Sequence, residues 1–233
     1  MRSWPLFAIA AFLSASAATA AGTTTRNFGI RSFEKIRVEG PYRVTLKTGV
    51  APFARAKGPH AALDRIDFEM RGHVLLVRSG PFSKQPGAAA LGPVEVEIGT
   101  HDLRSAALTG SGSLAIDRVK GLKFDLTVHG AGVGEIGQVA VDQLSLSLGG
   151  NAAARLSGEA KQLTAILRGL STLDISGLEV ADAVFGAEGP STVRATITKA
   201  AKIDAKGTAS FALAGRPSCT LNVQGSVSVS GCK

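Results

Sequence analysis

A short phrase recurs through the second half of this 233-residue chain, and it leaves few folds open. It reads apolar, any, apolar, any, Gly, with further apolar residues four and six positions after the Gly. The clearest copy runs from Ala106 to Ile116 around Gly110. The aligned glycines fall at Gly110, Gly130, Gly150, Gly169, Gly189, Gly207 and Gly225, spaced 20, 20, 19, 20, 18 and 18 residues apart. A fixed period of this length is the signature of a repeat architecture.

Read by column, the repeat separates two kinds of residue. Four positions before each glycine stand Ala106, Leu126, Leu146, Ala165, Phe185, Ile203 and Leu221. Two before stand Leu108, Val128, Leu148, Leu167, Ala187, Ala205 and Val223. Positions between these columns are polar or charged: Thr109, His129, Arg168, Glu188, Lys206 and Gln224. Alternation of this kind is the period of a strand with one face buried. Each unit therefore predicts two short strands joined at a glycine corner, where a Cβ is often penalised. One unit alone has no way to cover its inner face, so the units must stack, about 4.8 Å per rung. The expected fold is all-β: a parallel β-helix (β-solenoid) with coils of about 18–20 residues. A leucine-rich repeat shares the period but needs an Asn or Cys after L-x-L. Asn151 is the one candidate, and no stretch has helical periodicity.

A third apolar edge is expected from Val119 and Leu122, Val139 and Val141, Leu178 and Val180, and Ile197, with the loops on that side. Upstream the pattern is looser. Ile36–Gly40 with Val44–Leu46 is an early copy of the phrase, and 74–77 and 94–98 read as strands. Ala61–Met70 reads as an irregular strand, with a short helix as the alternative, and Gly80–Gly92, with Pro81 and Pro86, as a loop. Gly22–Thr25 reads as a mobile leader, with order starting near Arg26. Phe28, Ile30 and Phe33 are expected to cover the first edge.

The N-terminus has the layout of a secretory signal: Arg2, an apolar run from Pro5 to Leu13, and Ala18-Thr19-Ala20 as an A-x-A cleavage site. The organisation expected is residues 1–20 as signal peptide and 21–233 as one domain. Within it, 26–99 form less regular coils and 103–231 the regular repeats. The apolar run is too short for a spanning helix of about 20 residues, and no lipid-anchor cysteine follows the cut. The localisation expected is export, to the periplasm or the cell surface. Cys219 and Cys232 suit an oxidising compartment. Their bridge would close a loop of about 14 residues, worth ~3 kcal/mol, and pin the last coil.

Residues Phe33–Gly40, Val44–Gly49, Leu63–Ile66, Val94–Ile98 and Leu108–Gly112 resemble the head GIN domain family of auto-transporter adhesins. The resemblance runs through nearly all of the mature chain. It implies a right-handed parallel β-helix on an exported bacterial protein, with no catalytic residues to carry over.

Chemistry is sparse. His60, His73, His101 and His129 have no metal-ligand spacing, so no metal or cofactor is expected. His101-Asp102 lacks the G-x-S-x-G elbow of a triad hydrolase. Gly110-Ser111-Gly112-Ser113 resembles a phosphate loop but has no following helix. Asp117 and Asp174, assigned to one outward column, lie three coils apart, too far for a carboxylate pair of about 5–9 Å. Glu135 reads as equally isolated. The chain therefore reads as non-catalytic, presenting a surface for adhesion or envelope interaction with polysaccharide or protein. The alternatives are a polysaccharide-degrading enzyme on the same fold and a purely structural periplasmic protein. Net charge is +8 with pI near 9.9. Export and few aromatics exclude nucleic acid as the partner. Arg168, Lys199, Lys202, Lys206 and Arg216 form a candidate surface for anionic ligands. The oligomeric state is not fixed by the sequence.

Overall fold

The computed structural model describes residues 23–80 and 93–233. The signal-like segment 1–20 and most of the proline-containing loop at 80–92 lie outside the described residues. The chain forms a β-solenoid of about six turns. Its elements are β1 (Thr23–Phe28), β2 (Lys35–Glu39), β3 (Arg43–Thr48), β4 (Phe53–Pro59), α1 (His60–Leu63), β5 (Ile66–Arg71), β6 (Val74–Ser79) and β7 (Glu95–Thr100). They continue as β8 (Ser105–Gly110), β9 (Ser113–Gly130), β10 (Val133–Gly150), β11 (Ala153–Gly169), β12 (Ser171–Glu188), β13 (Ser191–Ala214) and β14 (Ser218–Ser230).

From β8 onward each coil lies in parallel register on the next, and the sequence columns become physical columns. Ala106 pairs Leu126, which pairs Leu146, then Ala165, Phe185, Ile203 and Leu221. All but Leu221 are buried. Phe185 and Phe211 meet edge to face, 5.8 Å between centroids, and with Phe33, Tyr42 and Phe124 are the aromatic members of a core built mainly from Leu, Ile, Val and Ala.

The corner glycines stack as well. All seven have positive φ, from +83° to +119°. At Gly130 a Cβ would also lie 2.6 Å from the Gly110 carbonyl oxygen. Two independent constraints, backbone sign and rung spacing, thus require glycine at this corner.

Several expectations need correction. The third edge is paired strand rather than loop: Val119 lies beside Val139 and Val141 beside Gly121, so β9 to β13 run on as bent strands of 17–24 residues. Its apolar residues are buried except Leu122, which is 79% exposed and faces outward. The leader is ordered from Thr23, because β1 pairs antiparallel with β4 over its full length. Ala61–Met70 divides into the end of one helical turn and a strand, β5, antiparallel to β6.

The two ends of the solenoid differ. At the first, β1, β4 and β5 add antiparallel strands. Phe28 stacks on Phe68 at 4.3 Å, and Phe33 is fully buried. At the other, the Cys219–Cys232 disulfide closes the last coil, with Cα atoms 5.7 Å apart. The Lys233 N–H donates to the Pro217 carbonyl at 3.0 Å. Among the described residues Leu221 is 47% and Val223 42% exposed there. No helix among the described residues is long and apolar enough to cross a membrane.

Candidate functional site

The outward columns hold the polar chemistry of this chain, and the N-terminal coils arrange theirs into a groove. The sheet there runs β1-β4-β7-β3-β9. Alternation along each strand sends every second side chain outward. Registers then build two rows. One is Thr25, Lys57, Glu95, Arg43 and Ser113; the other is Asn27, Arg55, Glu97, Thr45 and Ala115. The surface is an open groove of about 630 Å³ with Lys47 at its border.

Four cations, Arg43, Lys47, Arg55 and Lys57, surround two acids, Glu95 and Glu97. Lys47 is matched: its Nζ lies 2.7 Å from Glu97 Oε1. Arg43, Arg55 and Lys57 have no carboxylate within ion-pair distance among the described residues. The Arg55 guanidinium stands over the Phe53 ring, 5.3 Å from its centroid. That contact steadies the cation without neutralising it. The floor, Thr45, Ser113 and Ala115, is small, so a chain-like ligand can approach the backbone. The sequence reading missed this site. The period-two spacing of Arg43 and Lys47, Arg55 and Lys57, and Glu95 and Glu97 was visible, but the antiparallel insertion of β4 beside β7 was not.

Further along, the outward columns are self-neutralising. Arg155 sits between Glu135 and Asp174 of the adjacent coils, at 3.9 and 3.8 Å. This corrects two expectations. Asp174 belongs to the column five residues after the glycine, not to that of Asp117, and neither it nor Glu135 is isolated. Asp174 accepts hydrogen bonds from the Ser176 hydroxyl at 2.7 Å and the Ser176 N–H at 3.2 Å. These bonds, with Arg155 and Arg194 nearby, hold its carboxyl below the usual range. Asp117 serves the fold instead. It accepts from Thr48 N–H, Thr48 Oγ1 and Arg118 N–H, tying β3 to β9.

The other sequence candidates fall in separate places. Arg168 Nε lies 3.2 Å from Glu188 on the next coil, so this cation is matched. Lys202 and Lys206 share the outer face of β13 with Asp204 between them, and Asp204 accepts from Asn222 at 3.3 Å. Lys199 lies in the third edge of the same strand, and Arg216 in the turn before β14, with φ of 55°. All five are exposed. His129 is exposed, its ring against Gly149. His101 contributes its carbonyl, which accepts from Gly49 N–H at 2.9 Å. Among the described residues no three His, Cys, Asp or Glu side chains are grouped as metal ligands.

The fold is a side-chain-filled β-solenoid with a repetitive outer surface. The family model described as "Putative auto-transporter adhesin, head GIN domain" matches residues 32–217, and the chain belongs to that family. Solved structures share the fold. A "putative adhesin" from Bacteroides fragilis superposes with TM-score 0.75 at 16% identity, covering 91% of this chain and 95% of the other. A "putative adhesin" from Parabacteroides merdae gives 0.63 at 13%, covering 89% and 95%. A "putative lipid binding protein" from Parabacteroides distasonis gives 0.57 at 14%, covering 89% and 95%. No curated protein sequence matches the chain.

Proposed function

We propose that this protein is an exported, non-catalytic solenoid whose outer sheet surface binds anionic polysaccharide of the cell envelope. The observation that carries this is the groove over β4, β7 and β3. It has three unmatched cations around two acids on a small-residue floor, in a chain whose later columns neutralise themselves. A polyanion with spaced negative charges matches that pattern, and the basic net charge speeds its approach. Lys202 and Lys206 supply a second, weaker strip, interrupted by Asp204. The signal-like N-terminus, the disulfide and the adhesin family support the location.

The test is retention of the purified protein on immobilised acidic envelope polysaccharide, beside the double variant Arg55→Gln/Lys57→Gln. Both side chains are exposed, and the neutral replacements set no like charge opposite Glu97 and Glu95. Wild-type binding should fall with salt, and the variant should bind at least ~10-fold more weakly, ~1.4 kcal/mol. Equal retention of the two proteins refutes the groove. Degradation of the polysaccharide refutes the non-catalytic reading.

A further inference from the structure

Arg55 has no carboxylate partner among the described residues, although one stands directly across the sheet. β4 and β7 run antiparallel, and their register sets Arg55 opposite Glu97. Opposite charges facing each other on neighbouring strands are close enough to pair. Here Glu97 is taken from its other side by Lys47, at 2.7 Å. Arg55 turns along its own strand instead, to the ring of Phe53 two residues earlier. A carboxylate has two oxygens and can accept from both cations at once. Lys47 alone therefore does not keep Arg55 away from Glu97, and the ring is what offers Arg55 another seat.

A glycine sets the place of that ring. Phe53 pairs with Gly99 in the same ladder. Gly99 stands on the outward side of β7, two residues after Glu97, yet it is buried, because neighbouring side chains lie over it. A Cβ on Gly99 would fall on Cε1 and Cδ1 of the Phe53 ring and 2.8 Å from Val50 Cγ2. The φ of Gly99 is not positive, so the missing side chain makes room for the ring rather than for the backbone. An aromatic leaning on a cross-strand glycine steadies a sheet. This one is half-buried and also carries a guanidinium, 5.3 Å from its centroid.

We propose that Phe53, seated on Gly99, is a positioning residue for ligand binding: it holds Arg55 off Glu97 and so keeps that cation available to an anionic group of the ligand. The proposal rests on the polysaccharide-binding reading of the groove. A cation over an aromatic ring and an exposed ion pair are of similar strength, so the ring has only to tip a balance. With the ring in place, the planar guanidinium can offer two N–H groups to a carboxylate or sulfate of the polymer, and no protein ion pair has to break first. With the ring displaced, Arg55 joins Lys47 on Glu97, and the groove keeps two unmatched cations, Arg43 and Lys57, instead of three. Phe53 and Gly99 thus govern the charge of the groove although neither carries any.

A double-mutant cycle on immobilised acidic envelope polysaccharide tests it. Arg55→Gln should weaken retention about 3-fold. Phe53→Leu and Gly99→Ala should each weaken it to a similar degree, the second by pushing the ring from its seat. Phe53→Leu/Arg55→Gln should bind no more weakly than Arg55→Gln alone, and Phe53→Tyr, which keeps the ring, should bind like the wild type. If Phe53→Leu folds poorly by circular dichroism, Gly99→Ala and Gly99→Ala/Arg55→Gln complete the same cycle. Proton NMR of the free protein supplies a readout that needs no ligand: the Arg55 side-chain protons should be shifted upfield by the ring and return toward solvated values in Phe53→Leu. Wild-type retention by both Phe53→Leu and Gly99→Ala, losses that multiply in the double variant, or unshifted Arg55 protons overturn the positioning role alone. No retention of the wild type refutes the polysaccharide reading, and the proposal falls with it.

Discussion

Substituting alanine for the corner glycine Gly130 separates two physical reasons for glycine that coincide along this solenoid. Gly130 has φ of +101°, and its added Cβ would stand 2.6 Å from the Gly110 oxygen, against 3.4 Å for an ordinary contact. Left-handed backbone costs alanine about 1–3 kcal/mol. Opening the rung to relieve the contact weakens the Ala131 N–H bond to Gly110, now 2.9 Å, by about 0.5–1.5 kcal/mol. The reduced freedom of the unfolded chain returns about 0.4–1 kcal/mol. The net expectation is a loss of about 0.5–4 kcal/mol, centred near 2, or roughly 4–8 °C in melting temperature at that centre for a chain of this size. Two controls divide the terms. Gly121 has φ of +135° but nothing within 4 Å of its Cβ position, so Gly121→Ala carries strain alone, about 1 kcal/mol net. Gly186 has neither an unusual φ nor a neighbour, so Gly186→Ala should be neutral or slightly stabilising. Thermal unfolding followed by circular dichroism ranks the three. If Gly130→Ala costs no more than Gly121→Ala, the stacking contact is not what holds glycine at the corner.

Other outcomes follow from the same geometry. Phe185→Ala removes a fully buried ring from its contact with Phe211 and should cost about 3–5 kcal/mol in denaturant unfolding. Cys219→Ser/Cys232→Ser should cost about 3 kcal/mol, with proteolysis starting in β14 and leaving the earlier coils intact. Arg155→Ala, by contrast, should change stability by less than about 0.5 kcal/mol, because its pairs with Glu135 and Asp174 are solvated; a large loss there would show that the outward ladder holds the coils together. Asp174 has its folded pKa depressed, so its contribution is present above the ordinary carboxylate range and lost as pH falls through the lower folded value. Carbon-detected NMR titration should find it ionising below a surface aspartate, and Ser176→Ala should bring it back toward that value.

The regular coils were legible in the sequence because each rung repeats the same local demand. Leu126, Leu146 and Phe185 each stand four residues before a glycine, and register does the rest. The cysteine pair was legible for the same reason, lying in one coil. What the sequence hid depends on contacts between distant segments. β4 joins β7 and β1 antiparallel, and only that insertion brings Arg55 and Lys57 beside Glu97 and Glu95. Leu122 looks like a third-edge core residue by composition, yet a one-position difference in register turns it outward. Asp174 stands five residues after Gly169 and Asp117 seven after Gly110, so the spacing from the corner already separates the two columns, and assigning both to one column was a miscount.

Intact-mass analysis of the protein recovered from the envelope fraction of its native cells tests the exported, envelope-binding account most directly. The account predicts a chain beginning near Ala21 or Gly22, lighter than the reduced polypeptide by the two hydrogens of the Cys219–Cys232 bridge. A full-length chain that starts at Met1, carries both thiols reduced and is recovered from the cytoplasm would contradict it.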